Sequence, residues 1–219
     1  MIDLIKQEVK VHISNIADIL DRIGERVEGN LICDVSSDNF TDVINESKIY
    51  NLLKLSENKS KICEIGVNAG HSLLLMVSTN PEAEYLIFDL NGHAYTKPCI
   101  EYIKNAYPNT KITEIYGDSN LTLRQYVASN ELHTFDLIHI DGGHDTTTVE
   151  NDFTFTQELL TKDGVVVFDD YNYGNIRNVI DKYIDNEVIS EYTEDVIKTN
   201  LHFIYKVNDR KKHTSDLGK

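Results

Sequence analysis

Cysteine is scarce and shows no pairing pattern: the chain has only Cys33, Cys63 and Cys99, an odd number without a CxxC spacing. That excludes a disulfide framework or a thiolate zinc site and points to a reducing compartment. Positive charge is short as well. Lys and Arg number 21 against 36 Asp and Glu, a net charge of −15, which repels phosphate backbones and anionic lipid, so neither nucleic acid nor a membrane is an expected partner. No apolar run reaches the ~20 residues of a membrane span. The opening MIDLIKQEVK lacks the basic-then-apolar order of a signal peptide, and a cytoplasmic protein is the expectation. With only 3 Pro and 11 Gly, and no repeat or low-complexity tract, a fibrous or disordered architecture is excluded.

What is present suits one soluble domain: 219 residues, 41% hydrophobic and 26% charged. The texture changes near residue 60. Ahead of it, Ile13, Ile16, Ile19, Leu20, Ile23 and Val27 recur at helical spacing; Val43, Ile44, Tyr50, Leu53 and Leu55 do so less cleanly, behind a cap at Thr41 or Asp42. Residues 1–59 are therefore read as a helical cap, its two helices joined by a polar link around Gly29 to Asn39.

From Lys61 onward short apolar runs alternate with helix-length segments, the rhythm of a parallel sheet covered on both faces. The pattern predicts strands over Lys61–Ile65, Tyr85–Asp89, Lys111–Tyr116, Phe135–Ile140 and Val165–Asp169. Helices are expected near Ser72–Ser78, Lys97–Tyr107, Leu121–Asn130, Thr147–Thr161 and Ile176–Asn186. Two further runs, Val188–Tyr192 and Leu201–Val207, predict an antiparallel hairpin at one edge. The fold class is thus α/β, a mostly parallel sheet over 60–207 closed by a hairpin, with a polar tail from 208 to 219.

In such sheets ligands lie beyond the carboxyl ends of the strands. After the first strand comes EIGVNAGHS, where Gly66 and Gly70 permit a tight turn into a helix whose N-terminus suits a carboxylate or phosphate; an ordinary strand-to-helix turn would look the same. Asp89 ends the second strand, placed to accept bonds from two ribose hydroxyls. Asp118 and Ser119, in GDS, suit an adenine edge, although Asp118 also fits a helix cap. In FDLIHIDGGH and GVVVFDDYN, Asp141, Asp169 and Asp170 would converge from neighbouring strand ends and repel one another. A divalent cation relieves that conflict, and all-carboxylate ligation favours Mg²⁺, with Ca²⁺ or Mn²⁺ as alternatives. His144, three residues past Asp141, is the candidate general base. His139 reads as a core residue, Cys63 as a small buried hydrophobe, and His71 as either a ligand contact or a surface residue.

Taken in order, EIGVNAGHS, IFDL, YGDS, FDLIHIDGGH and GVVVFDD resemble the class I S-adenosylmethionine-dependent methyltransferases, a Rossmann-like seven-stranded fold with a closing hairpin. IDGGH followed by DD is similar to the metal-dependent small-molecule O-methyltransferases, above all those modifying macrolide sugars, and more distantly to the catechol enzymes. The resemblance implies that Glu64, Gly66, Asn68, Gly70 and Ser72 hold the methionine part, Asp89 the ribose, and Asp118 with Ser119 the adenine. It implies Asp141, Asp169 and Asp170 as metal ligands, with His144 and Asp141 at the catalytic centre. The catechol enzymes carry Lys at His144 and Asn at Asp170, which disfavours an aromatic diol; no Asn-Pro-Pro-Tyr motif points to DNA amino groups. The implied reaction is O-methylation of a sugar or similar small molecule, by a chain compatible with a homo-oligomer. Two other readings stand beside it. An NAD-dependent oxidoreductase shares the glycine turn and acidic strand end but needs a GxGxxG pattern that is missing, and a silent partner protein would keep the fold without catalysis.

Overall fold

The computed structural model describes residues 6–28 and 46–208. Helix α1 (Gln7–Ile23) buries Val9, Ile13, Ile16, Ala17 and Leu20 along one stripe. It stops where Gly24 turns left-handed at φ 70 and donates its N–H to the Leu20 carbonyl. Val27, expected on the same helical face, therefore lies past the helix end and packs on the core from the following segment. Helix α2 (Glu46–Ser56) buries Ile49, Leu52 and Leu55, and with them Lys48, Asn51 and Ser56. Thr41, Asp42, Val43, Ile44, the link from Gly29 to Asn39 with its Cys33, and the tail from 209 lie outside the described residues.

The sheet follows the sequence closely. Strands β1 (Lys61–Ile65), β2 (Glu84–Asp89), β3 (Lys111–Tyr116) and β4 (Phe135–Ile140) alternate with α3 (His71–Thr79), α4 (Thr96–Ala106), α5 (Ser119–Ser129) and α6 (Thr146–Leu159). Strand β5 (Leu160–Phe168) begins earlier than expected. Leu160 leaves α6 already extended and pairs with Phe135, and the register then shifts so that Leu137 pairs with Val165; the polar stretch 161–164 between them hides the start of the strand from a hydrophobic pattern. Helix α7 (Gly174–Asp185) leads to β6 (Ile189–Glu191) and β7 (Phe203–Val207).

The strand order is β3-β2-β1-β4-β5-β7-β6. The first five are parallel, and β7 inserts antiparallel between β5 and the edge strand β6. The order reverses between β1 and β4, the switch point at which such sheets open a crevice.

Successive strand residues point to opposite faces. Ile62, Ile87, Leu137, Val167 and Ile204 meet the helices α1 to α4; Cys63, Phe88, Ile138, Phe168 and Tyr205 meet α5 to α7. The same alternation sends Glu64, His139, Asp169 and His202 to the first face, beneath the amino-terminal helices. There they are buried.

Candidate active site

A cavity of about 920 Å³ opens at the carboxyl ends of the parallel strands. Its floor is the β1–α3 turn. Gly66 has φ +85, and a Cβ there would stand 1.9 Å from the Asp141 carbonyl oxygen, so only glycine lets the ends of β1 and β4 meet. Asn68 is left-handed as well, at φ 50. Its backbone N–H donates to Asp89 Oδ2 at 2.8 Å, while Asn91 N–H donates to Oδ1 at 2.6 Å. Both Asp89 oxygens are thus aimed by the backbone, and each keeps a lone pair for a ligand hydroxyl.

The remaining cofactor candidates divide in two. Ser72, Asp118 and Ser119 line the cavity with Gly66, Asn68 and Asp89. Asp118 also caps α5, accepting from the Asn120 N–H at 2.9 Å, so its cap and ligand readings coexist. Glu64 and Gly70 stand behind this wall. Glu64 accepts a hydrogen bond from the Ser72 hydroxyl and shares one of 3.0 Å with His139 Nδ1, leaving Oε2 buried without a partner. A Cβ on Gly70 would meet Ile103 at 2.7 Å, so this glycine serves the packing of α3 against α4. His71 lines the cavity, and burial pushes its pKa down to about 4, leaving a neutral imidazole. Cys63 is fully buried with its thiol pushed up, as expected of an inert hydrophobe.

At the other end, over β4 and β5, His144 Nε2 lies 3.1 Å from Asp170 Oδ2. That hydrogen bond raises the imidazole pKa, burial opposing it, and leaves Nδ1 as the nitrogen open to accept a proton. The Tyr173 ring lies 4.9 Å from the imidazole and is half exposed in the cavity. Asp170 is left-handed, at φ 56, a conformation Asp tolerates better than most residues. Asp141 donates its N–H to the Ile65 carbonyl, and burial together with Asp169 and Asp170 pushes its carboxyl well above the ordinary range.

The expected metal set of Asp141, Asp169 and Asp170 is not assembled as one group. Among the described residues, ligand atoms gather within 4.8 Å in two separate sets, Asp141 with His144 and Asp170, and Asp169 with His139 and His202. Asp141 and Asp169 follow the paired residues Ile140 and Phe168, and the division follows from the partners that hold Asp169, namely Lys48, His139 and His202. A cation does sit among the acids, but it is an ammonium: Lys48 Nζ pairs with Asp169 Oδ1 and lies 3.8 Å from Asp170 Oδ1. Burial opposes the charge on Lys48, and the pull of Asp169, Asp141 and Asp170 outweighs it, so the pKa is raised. Divalent ligation by the three carboxylates therefore does not fit the residues as they stand. Lys48 was missed in the sequence; its one signal is a position on the buried stripe of α2, four residues before Leu52. His202, fully buried with neither ring nitrogen bonded, has no signal at all.

Residues 63–171 match a family described as a methyltransferase domain. The fold is shared with an O-methyltransferase from Bacillus cereus in complex with SAH, at TM-score 0.64 and 15% identity over 91% of each chain. TomG, an O-methyltransferase from Streptomyces achromogenes in complex with SAM, matches at 0.64 and 13% over 90% of each. CalS11, a TDP-rhamnose 3′-O-methyltransferase, matches at 0.62 and 15% over 94% of this chain and 96% of its own. No curated protein matches in sequence. Residues 63–171 are thus similar to a methyltransferase domain, and the fold is that of these O-methyltransferase structures.

Proposed function

We propose that this protein transfers the methyl group of S-adenosylmethionine to a hydroxyl of a sugar or similar small molecule. The observation that carries the reading is one cavity with two chemically different ends: Asn68, Asp89 and Asp118 over β1 to β3, and the His144–Asp170 pair over β4 and β5. The first end suits a nucleoside, the second a hydroxyl awaiting deprotonation. Carboxylates and the half-exposed Tyr173 ring offer a polyol both hydrogen-bond acceptors and an apolar platform. A known sugar methyltransferase among the fold relatives adds support.

S-adenosylmethionine supplies an electrophilic methyl group on a sulfonium. The acceptor hydroxyl oxygen attacks that carbon, the carbon–sulfur bond breaks with its electron pair going to sulfur, and the hydroxyl proton passes to His144 Nδ1. Asp170 holds the imidazole in the tautomer that can accept it. Glu28 and Lys48, from the amino-terminal cap, complete the cavity wall and would contact the acceptor. Lys48 stands where the carboxylates would share the magnesium ion expected from the sequence.

Calorimetry with S-adenosylhomocysteine and NAD, alongside labelled-methyl transfer to a panel of sugars and nucleotide sugars, tests this reading. The homocysteine product should bind at about micromolar Kd and NAD should not. His144→Ala should keep that binding and lose about 10²–10⁴-fold in turnover. Binding of NAD alone, or of neither compound, overturns the proposal.

A further inference from the structure

We propose that Lys48 is the resident cation of the acceptor end, taking the place among the carboxylates that a divalent ion would occupy, so that methyl transfer here proceeds without a metal. The inference deepens the methyl-transfer reading and rests on it. Three observations lead to it. Lys48 is a buried lysine on the apolar stripe of α2, a costly position unless its charge is met. It is met by Asp169, by Asp170 at 3.8 Å, and at longer range by Asp141. Asp169 is in turn closed in on its other sides by His202 Nε2 at 3.6 Å and His139 Nε2 at 3.9 Å, so an ammonium and two imidazoles surround it.

Charge and geometry give the same answer. Three carboxylates need positive charge close by, and an ammonium held in the same space repels a divalent ion that would approach them. The second set, Asp141 with His144 and Asp170, has the same ammonium beside it, Lys48 Nζ lying 3.8 Å from Asp170 Oδ1. Lys48 also lines the cavity. An ammonium has three donors, and one not spent on Asp169 can hold a lone pair of the acceptor oxygen beside His144. Lys48 would thus be a positioning residue, drawing the hydroxyl into line and balancing the acids, while the proton goes to His144.

The test is binding of Mn²⁺ alone to the full chain, saturated with S-adenosylhomocysteine and followed by water-proton relaxation. Wild type should show no site below about 1 mM, and Lys48→Met should gain one at least about tenfold tighter, because the competing charge is gone. Adding Asp169→Asn to that variant should abolish the gained site. Turnover of wild type should be unchanged by excess chelator, whereas that of Lys48→Met should fall and recover in part with Mn²⁺. A wild-type Mn²⁺ site at micromolar Kd that Asp169→Asn removes would overturn the proposal, as would a Lys48→Met variant that binds no more metal than wild type. If Lys48→Met does not fold, Lys48→Gln keeps a donor, one bond shorter, without the charge and should gain the same site. The relaxation readout requires no turnover, so failure of the methyl-transfer reading, seen as loss of S-adenosylhomocysteine binding, is distinguishable from failure of this one.

Discussion

Asp152 shows how a buried carboxyl can serve the fold while standing next to the chemistry. It comes from α6, is almost wholly buried, and lies beneath Gly142 of the IDGGH turn, where a Cβ would meet its Oδ2 at 2.9 Å. Burial pushes its pKa up to about 7, with Ser119 moderating the rise. The folded state therefore keeps a proton that the unfolded chain releases near pH 4, so stability falls as pH rises from about 4 to about 7. Asp152→Asn removes that dependence. The variant should match wild type at low pH and exceed it above pH 7 by at most about 4 kcal/mol, read by urea denaturation at pH 5 and pH 8. Equal stability differences at both pH values would show that Asp152 is ionised in the folded protein.

Among the elements, the β1–α3 turn carries the tightest constraint. The 1.9 Å between a hypothetical Cβ on Gly66 and the Asp141 carbonyl cannot be relieved by a side-chain rotation, because the obstacle is backbone and β1 and β4 are hydrogen-bonded neighbours. Gly66→Ala should destabilise by about 2–4 kcal/mol, through strain at positive φ and displacement of the β4 end. It should also weaken S-adenosylhomocysteine binding, since the same turn places Asn68 against Asp89. Thermal denaturation and calorimetry on one sample check both, and an unchanged melting temperature would refute the account. Sequence pattern located β1, β3 and β4 end to end, because each is followed directly by Gly or Asp. It placed β5 short, because the polar stretch 161–164 separates Leu160 from the apolar run that begins at Val165, and it extended the α1 pattern through Val27, because the left-handed Gly24 stops the helix while the apolar spacing continues.

For the molecule as a whole, the cavity is walled by strand ends, by the turns that follow them and by the amino-terminal cap, so a ligand that fills it ties separate parts of the chain together. Saturation with S-adenosylhomocysteine at about 100 times Kd should add about 2.7 kcal/mol, which in a chain of this size raises Tm by roughly 5–10 °C. Thermal denaturation across a ligand titration checks this, and a Tm that does not move would deny the cavity its cofactor. The charge of −15 acts at this scale too, favouring acceptors that are neutral or cationic. Among the described residues no helix is long and apolar enough to cross a membrane.

The order of the β-α units, the acids at the strand ends, the glycine turn and the residues suited to a nucleoside were all written in local pattern, because strand periodicity and turn chemistry are properties of neighbouring residues. The company each acid keeps was not. The packing of α2 and β7 over that face joined Asp169, from the strand end beside Asp141, to His139, His202 and Lys48. That arrangement depends on which side chains from distant segments share one buried space, where an unmet charge is too costly to leave alone.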